Sequence, residues 1–130
     1  MAEPSETVLV RYIVHDVDAA VAFYTDHLGF TVVMHPAPTF AMLARGALRL
    51  ALSAPSGTGG GGQAMPDGRS PEPGGWNRIS LPVGDLDAEV TRLRAAGVGF
   101  RSDVIIGVGG NQIVLDDPSG NPVELFQSTR

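Results

Sequence analysis

The sequence predicts an α+β fold made of two pseudo-symmetric βαβββ modules. Three observations carry that prediction: an internal repeat, a switch from strand-like to helical patterning at the same place in each copy, and a length of 130 residues, which suits one ordinary domain. In the repeat, YIVHDVDAAVAFYTDHLGF (Tyr12–Phe30) matches LPVGDLDAEVTRLRAAGVGF (Leu81–Phe100). Val14, Asp16, Asp18 and Ala19 fall on Val83, Asp85, Asp87 and Ala88 at a constant offset of 69. One inserted residue later, Gly29-Phe30 falls on Gly99-Phe100. Self-similarity of this kind marks a duplicated structural unit.

The elements follow in order. Val8–Val14 and Ile79–Val83 are rich in β-branched and apolar residues and read as opening strands. Asp16 and Asp85 are N-caps for the helices that follow. Apolar side chains then recur at helical spacing, at Val17, Val21, Tyr24 and Leu28 in the first copy and at Leu86, Val90 and Leu93 in the second. Gly29 and Gly97 end those helices. Three further strands come next in each copy. They are Phe30–Met34, Phe40–Ala44 and Ala47–Ser53 in the first half, and Val98–Arg101, Gln112–Asp116 and Pro122–Gln127 in the second. A module of this size cannot hide its own sheet face. Residues 7–54 and 76–127 are thus two modules of a single domain spanning 1–130.

Between the modules, twelve of the twenty-one residues from Pro55 to Gly75 are Gly or Pro. Such a stretch is long for a connection. It reads equally as a floppy linker or as a lid over a binding site.

Composition narrows the function classes. With 43% hydrophobic and 18% charged residues, the chain has the material for a core. Nine basic against fourteen acidic residues give a net charge of −5. That excludes a broad nucleic-acid or anionic-membrane footprint, since both need clustered cations. The absence of Cys excludes disulfide scaffolds, thiolate metal sites and Cys nucleophiles. No apolar run approaches the ~18 residues of a membrane span. The opening MAEPSETV lacks the basic-then-apolar order of a signal peptide. The expectation is a soluble, cytoplasmic protein.

Several motifs of known chemistry are missing. There is no Ser-His-Asp order, and Gly59–Gly62 lacks the Lys-Ser/Thr of a phosphate cradle. Asp116 and Asp117 look like paired carboxylates, but the following Pro118-Ser119-Gly120 is turn chemistry. His15, His27 and His35 read as structural or surface residues, with His35 nearest to the open face of the first sheet.

The D-[VL]-D-A-x-V helix starts, FYTDHLGF (Phe23–Phe30) and DDPSGNPVELF (Asp116–Phe126) together have a familiar form. Over Val8–Gln127 the chain resembles the vicinal oxygen chelate superfamily, which includes glyoxalase I, fosfomycin- and bleomycin-resistance proteins and extradiol dioxygenases. The resemblance implies modules whose mixed sheets curl around a cavity, often in a homodimer that builds two sites. It also implies a divalent metal held by His and Glu side chains at four strand positions. Carried onto this chain, the opening-strand positions hold Leu9 and Arg78, and the last position holds Glu124. The fourth lies on Ala47–Ser53, where Leu48, Leu50 and Leu52 should face the core, leaving Arg49 and Ala51. One position in four keeps a ligand type. A divalent cation needs several neutral His or anionic donors, and a guanidinium is not one. The residues therefore argue for no metal ligands and no cofactor, with a divalent metal as the alternative.

Period-2 alternation turns Val10, Tyr12, Val14, Ile79, Leu81 and Val83 toward the helices. The opposite faces carry Leu9, Arg11 and Ile13, and Trp76, Arg78, Ser80 and Pro82, joined by Arg49, Glu124 and Phe126. Trp76, Arg78, Ser80, Glu124, Arg49 and Arg11 are the candidate ligand-binding residues, since apolar walls with a few convergent polar groups suit a small molecule. Arg78 and Glu124 read either as a structural ion pair or as ligand contacts, and Arg11 and Arg49 either as solvent-facing or dimer-interface residues or as ligand contacts. Trp76 either packs the end of a sheet or stacks on a planar ligand. The leading expectation is a metal-independent binder that sequesters or carries a planar, partly anionic compound. The alternative is a lyase, isomerase or dioxygenase with a reduced or displaced metal site, using Glu124 as ligand or general base. A homodimer is expected because each module leaves strand edges and a sheet face to cover.

Overall fold

In a computed structural model of the chain, residues 4–56 and 60–129 are described. Part of the MAEPSETV reading and Gly59 of the glycine run lie outside them. The chain divides into two compact units, Met1–Pro73 and Gly74–Arg130.

The first unit runs β1 (Val8–Ile13), α1 (Val17–His27), β2 (Thr31–Ala37), β3 (Phe40–Arg45) and β4 (Leu48–Ser53). Its sheet has the order β1-β4-β3-β2, with β1 parallel to β4 and the other pairs antiparallel. The second unit runs β5 (Ile79–Pro82), α2 (Leu86–Ala95), β6 (Ile105–Ile106), β7 (Gly110–Asp116) and β8 (Pro122–Ser128). Its order, β5-β8-β7-β6, repeats the first with the same single parallel pair. Both units are therefore βαβββ, with one helix and one mixed four-stranded sheet each. Among the described residues, no helix is long and apolar enough to cross a membrane.

Matching local chemistry starts and stops the helices. The Asp16 carboxylate accepts from Ala19 N at 3.0 Å, and Asp85 accepts from Ala88 N at 3.1 Å, each satisfying a backbone donor the helix leaves open. Gly29 (φ 73°) and Gly97 (φ 83°) turn the chain out of each helix in the left-handed region. Each helix then covers one face of its own sheet. Val14, Val17, Ala20, Tyr24, Leu43, Leu50 and Leu52 are buried in the first unit, and Leu81, Leu86, Val90, Leu93, Ile113, Leu115 and Leu125 in the second. The Tyr24 and Phe30 rings meet edge to face at 5.4 Å.

Two expectations need correction. The strand read at Val98–Arg101 is only an isolated bridge, Phe100 to Leu115, and the fourth strand of that sheet lies at Ile105–Ile106. The cause sits between them. Ser102 Oγ accepts from Val114 N at 3.3 Å, so a side chain takes the place of a ladder carbonyl and pairing resumes only beyond it. In the first unit, β2 runs on to Ala37 rather than stopping at Met34, absorbing Pro36 through register shifts after Val32 and Met34. In β4 the alternation holds but both faces are covered toward its end: Ala51 and Ser53 are buried along with Leu50 and Leu52.

Candidate functional site

In the second unit, β5 and β8 run parallel with Ser80 opposite Glu124. That register brings three of the candidate side chains together. Arg78 donates from Nε at 3.1 Å and from Nη2 at 3.0 Å to Glu124 Oε1. Ser80 Oγ donates to Glu124 Oε2 at 2.7 Å. Arg78 Nη1 also reaches the Trp76 carbonyl at 3.3 Å. The Arg78 and Glu124 side chains are 27% and 14% exposed. Both carboxylate oxygens are thus engaged, and charge is balanced within the sheet.

Trp76 does not pack into a core. It is 70% exposed, and one ring face lies under the Arg101 guanidinium, 4.7 Å from the ring centroid. Arg101 in turn donates to Asp116 Oδ1 at 2.7 Å, to the Gly75 carbonyl at 2.6 Å and to the Gly120 carbonyl at 2.8 Å. It ties the chain just before Trp76 to the β7–β8 turn and holds the indole at the surface. The sequence reading passed over Arg101 because the residue stood inside an expected strand. The signal was the Asp116-Asp117 pair, two carboxylates that call for counterparts. Asp117 finds its own within the turn: buried, it accepts from Ser119 N at 2.8 Å, Asn121 N at 2.9 Å and Asn121 Nδ2 at 3.1 Å.

In the first unit the open face of the sheet carries Leu9, Arg11 and Ile13 on β1 and Arg49, Ala51 and Ser53 on β4, paired in that order. Arg49 bonds back to its own hairpin, to the Gly46 carbonyl at 2.8 Å and the Leu48 carbonyl at 3.2 Å. Arg11 Nη1 donates to the Gly60 carbonyl at 3.2 Å, and the Ser53 hydroxyl donates to the same carbonyl. Ser53 is another residue the sequence reading omitted. Of the histidines, His35 Nε2 lies 3.3 Å from Asp18 Oδ1 and His27 meets the Phe23 ring at 5.6 Å.

The donor set does not fit a divalent metal. Leu9 is a half-exposed hydrocarbon, Arg49 and Ala51 present no anionic oxygen, and Arg78 sets a permanent cation on the one carboxylate. A metal needs lone pairs that Glu124 has committed to Arg78 and Ser80. Among the described residues, no group of three His, Asp or Glu side chains is placed to hold a metal ion.

The family model described as Glyoxalase/Bleomycin resistance protein/Dioxygenase superfamily matches residues 7–125. Among solved structures, the chain is similar to a member of that superfamily from Sphaerobacter thermophilus DSM 20745, with 28% identity, TM-score 0.75, and coverage of 96% of this chain and 98% of that one. It is similar to TnmS3, an antibiotic binding protein from Streptomyces sp. CB03234, with 24% identity, TM-score 0.72, and coverage of 99% and 100%. It also resembles a lactoylglutathione lyase from Agrobacterium tumefaciens, with 23% identity, TM-score 0.72, and coverage of 97% and 96%. A search of curated proteins found no match.

Proposed function

The chain belongs to the glyoxalase/bleomycin resistance protein/dioxygenase superfamily, and from that premise we propose that it is a metal-independent small-molecule-binding protein. It would sequester or carry a planar, partly anionic compound, as a cytoplasmic homodimer. One observation carries the reading: the Glu124 carboxylate, at the position the family uses for its last metal ligand, is held by Arg78 and Ser80 instead. The exposed Trp76 ring, braced from one side by Arg101, supplies a flat surface for a planar ligand. An antibiotic binding protein of the same fold is consistent with such a role. Apolar side chains exposed on sheet edges support the homodimer: Val8 and Leu9 on β1, Val32–Met34 on β2, and Ile105 and Ile106 on β6.

The test is elemental analysis of protein purified without chelators, joined to Trp76 fluorescence titrations with planar aromatic acids. The expected result is no stoichiometric transition metal, quenching or enhancement of the single Trp, and recovery of the acid unchanged. One equivalent of metal per chain that is lost in Glu124→Ala overturns the reading. It would promote the enzyme alternative, as would chemical conversion of the ligand.

A further inference from the structure

We propose that Arg11 and Ser53 form an oxyanion-binding site on the open face of the first unit's sheet, and that the Gly60 carbonyl is its built-in, displaceable occupant. The inference rests on the small-molecule-binding reading and gives the first unit a site of its own for an anionic group. A carboxylate or phenolate oxygen would take the place of the carbonyl.

The register fixes the pair. Ser53 lies opposite Ile13, two residues beyond Arg11 on the same face of β1. Their donors converge on one oxygen, Gly60 O. A cation and a hydroxyl meeting at a single acceptor is the arrangement that recognises an anionic oxygen, and charge-assisted bonds are roughly twice as strong as neutral ones. A peptide carbonyl is a weaker partner for Arg11 than a carboxylate. Ser53 is 0% exposed. Removing Gly60 without a replacement would strand its buried hydroxyl, which is costly, so the strap stays closed most of the time and opens when water or an anion takes its place.

The strap is shaped for this position. A Cβ on Gly61 (φ +85°) would overlap the Arg11 guanidinium. A Cβ on Gly60 would crowd Phe40 Cβ at 3.3 Å, and one on Gly62 would overlap the Ala54 carbonyl oxygen. The loop is closed by Ser56 N donating to the Gly62 carbonyl at 2.9 Å. Only bare backbone can lie this close to the sheet and deliver a carbonyl to Arg11 and Ser53. In the second unit Arg78 and Ser80 converge on Glu124, each on its own carboxylate oxygen. There the acceptor is fixed to the sheet and already anionic, so the first unit holds the exchangeable site.

The experiment uses benzoate as the anionic probe and benzyl alcohol as its neutral counterpart, titrated by calorimetry into the full chain. The variants are Gly62→Ala, Arg11→Gln and the double variant. Gly62→Ala should bind benzoate about tenfold more tightly than the unmodified chain, the factor expected when a strap closed about nine-tenths of the time no longer competes. The gain should vanish in Gly62→Ala/Arg11→Gln, and benzyl alcohol should gain nothing. Equal affinity in Gly62→Ala and the unmodified chain, or a gain that survives Arg11→Gln, overturns the proposal. A second measurement needs no variant: saturating benzoate should speed hydrogen exchange of the Ser56 amide, and unchanged exchange overturns the proposal as well. Trp76 fluorescence, read in the same titration, separates the two readings. A response at Trp76 without one at Ser56 removes the strap and leaves the binding function standing, whereas silence at both removes both.

Discussion

On each sheet an arginine and a serine hydroxyl converge on one oxygen-bearing group, and the two units differ in where that group comes from. In the second unit it is the Glu124 side chain, fixed to β8 directly opposite Ser80. In the first, the corresponding strand position is Ala51, opposite Arg11, and the acceptor is borrowed from the Gly60 backbone. The repeat places Leu9 and Arg11 where the second unit has Arg78 and Ser80, so the cation sits two residues further along the strand. A duplicated scaffold has therefore kept a polar convergence while changing its attachment. An acceptor built into a strand is permanent and stabilises the sheet; one on a loop can be exchanged.

The largest effect should come from the clamp that only the second unit possesses. Arg101→Ala removes one charged bond to Asp116, two carbonyl contacts and the Trp76 stack. It should cost about 3 kcal/mol in urea unfolding, since bonds to charged groups contribute roughly 1.5–3 kcal/mol each. Thr31, its counterpart in the repeat, is exposed, and Thr31→Ala should change stability by less than about 0.5 kcal/mol. Comparable losses from both would break the contrast.

Next comes the fixed pair. Arg78→Ala and Glu124→Ala should each cost about 2 kcal/mol, below the value for a fully buried pair because Arg78 retains some solvent. The double variant should regain at least about 1 kcal/mol relative to the sum, and strict additivity would show the two side chains to be independent.

The caps sharpen what the units share. Asp16→Ala and Asp85→Ala should each cost about 1 kcal/mol, and thermal melts should find them alike to within a few tenths. The smallest effect should fall on the exchangeable side. Arg11→Ala breaks a single bond between an exposed guanidinium and a neutral carbonyl, so it should shift stability by less than about 0.5 kcal/mol. A loss equal to that of Arg78→Ala would mean the strap holds up the fold.

Features written in local chemistry were legible from the chain. Asp16 and Asp85 announce the helix starts, Gly29 and Gly97 their ends, and the apolar spacing selects the buried faces. The Arg78–Glu124 pair was legible because Glu124 lies on a regular strand and Arg78 directly before another, where the alternation is simple to follow. Other features depend on contacts that spacing does not encode. Ser102 looks like an ordinary loop residue until its hydroxyl takes the Val114 amide and breaks a strand. Arg101 carries no periodic signature, and its role comes from three partners scattered over Gly75, Asp116 and Gly120. Ser53 was missed because it ends a strand read as alternating, whereas the backbone of Gly60 covers that end.

The glycine-rich segment has a consequence for which substitutions the chain can accept. By composition it is the most permissive stretch of the protein, the kind in which replacements are expected to accumulate unnoticed. At Gly60–Gly62 each added methyl meets a neighbour, whereas at Gly84, Gly99 and Gly109 there is open space around a Cβ and no left-handed backbone. A saturation library should therefore divide the glycines sharply. In the run that resembles low-complexity filler each replacement would open the strap and so change binding while the fold stands, and the isolated glycines elsewhere would vary without effect.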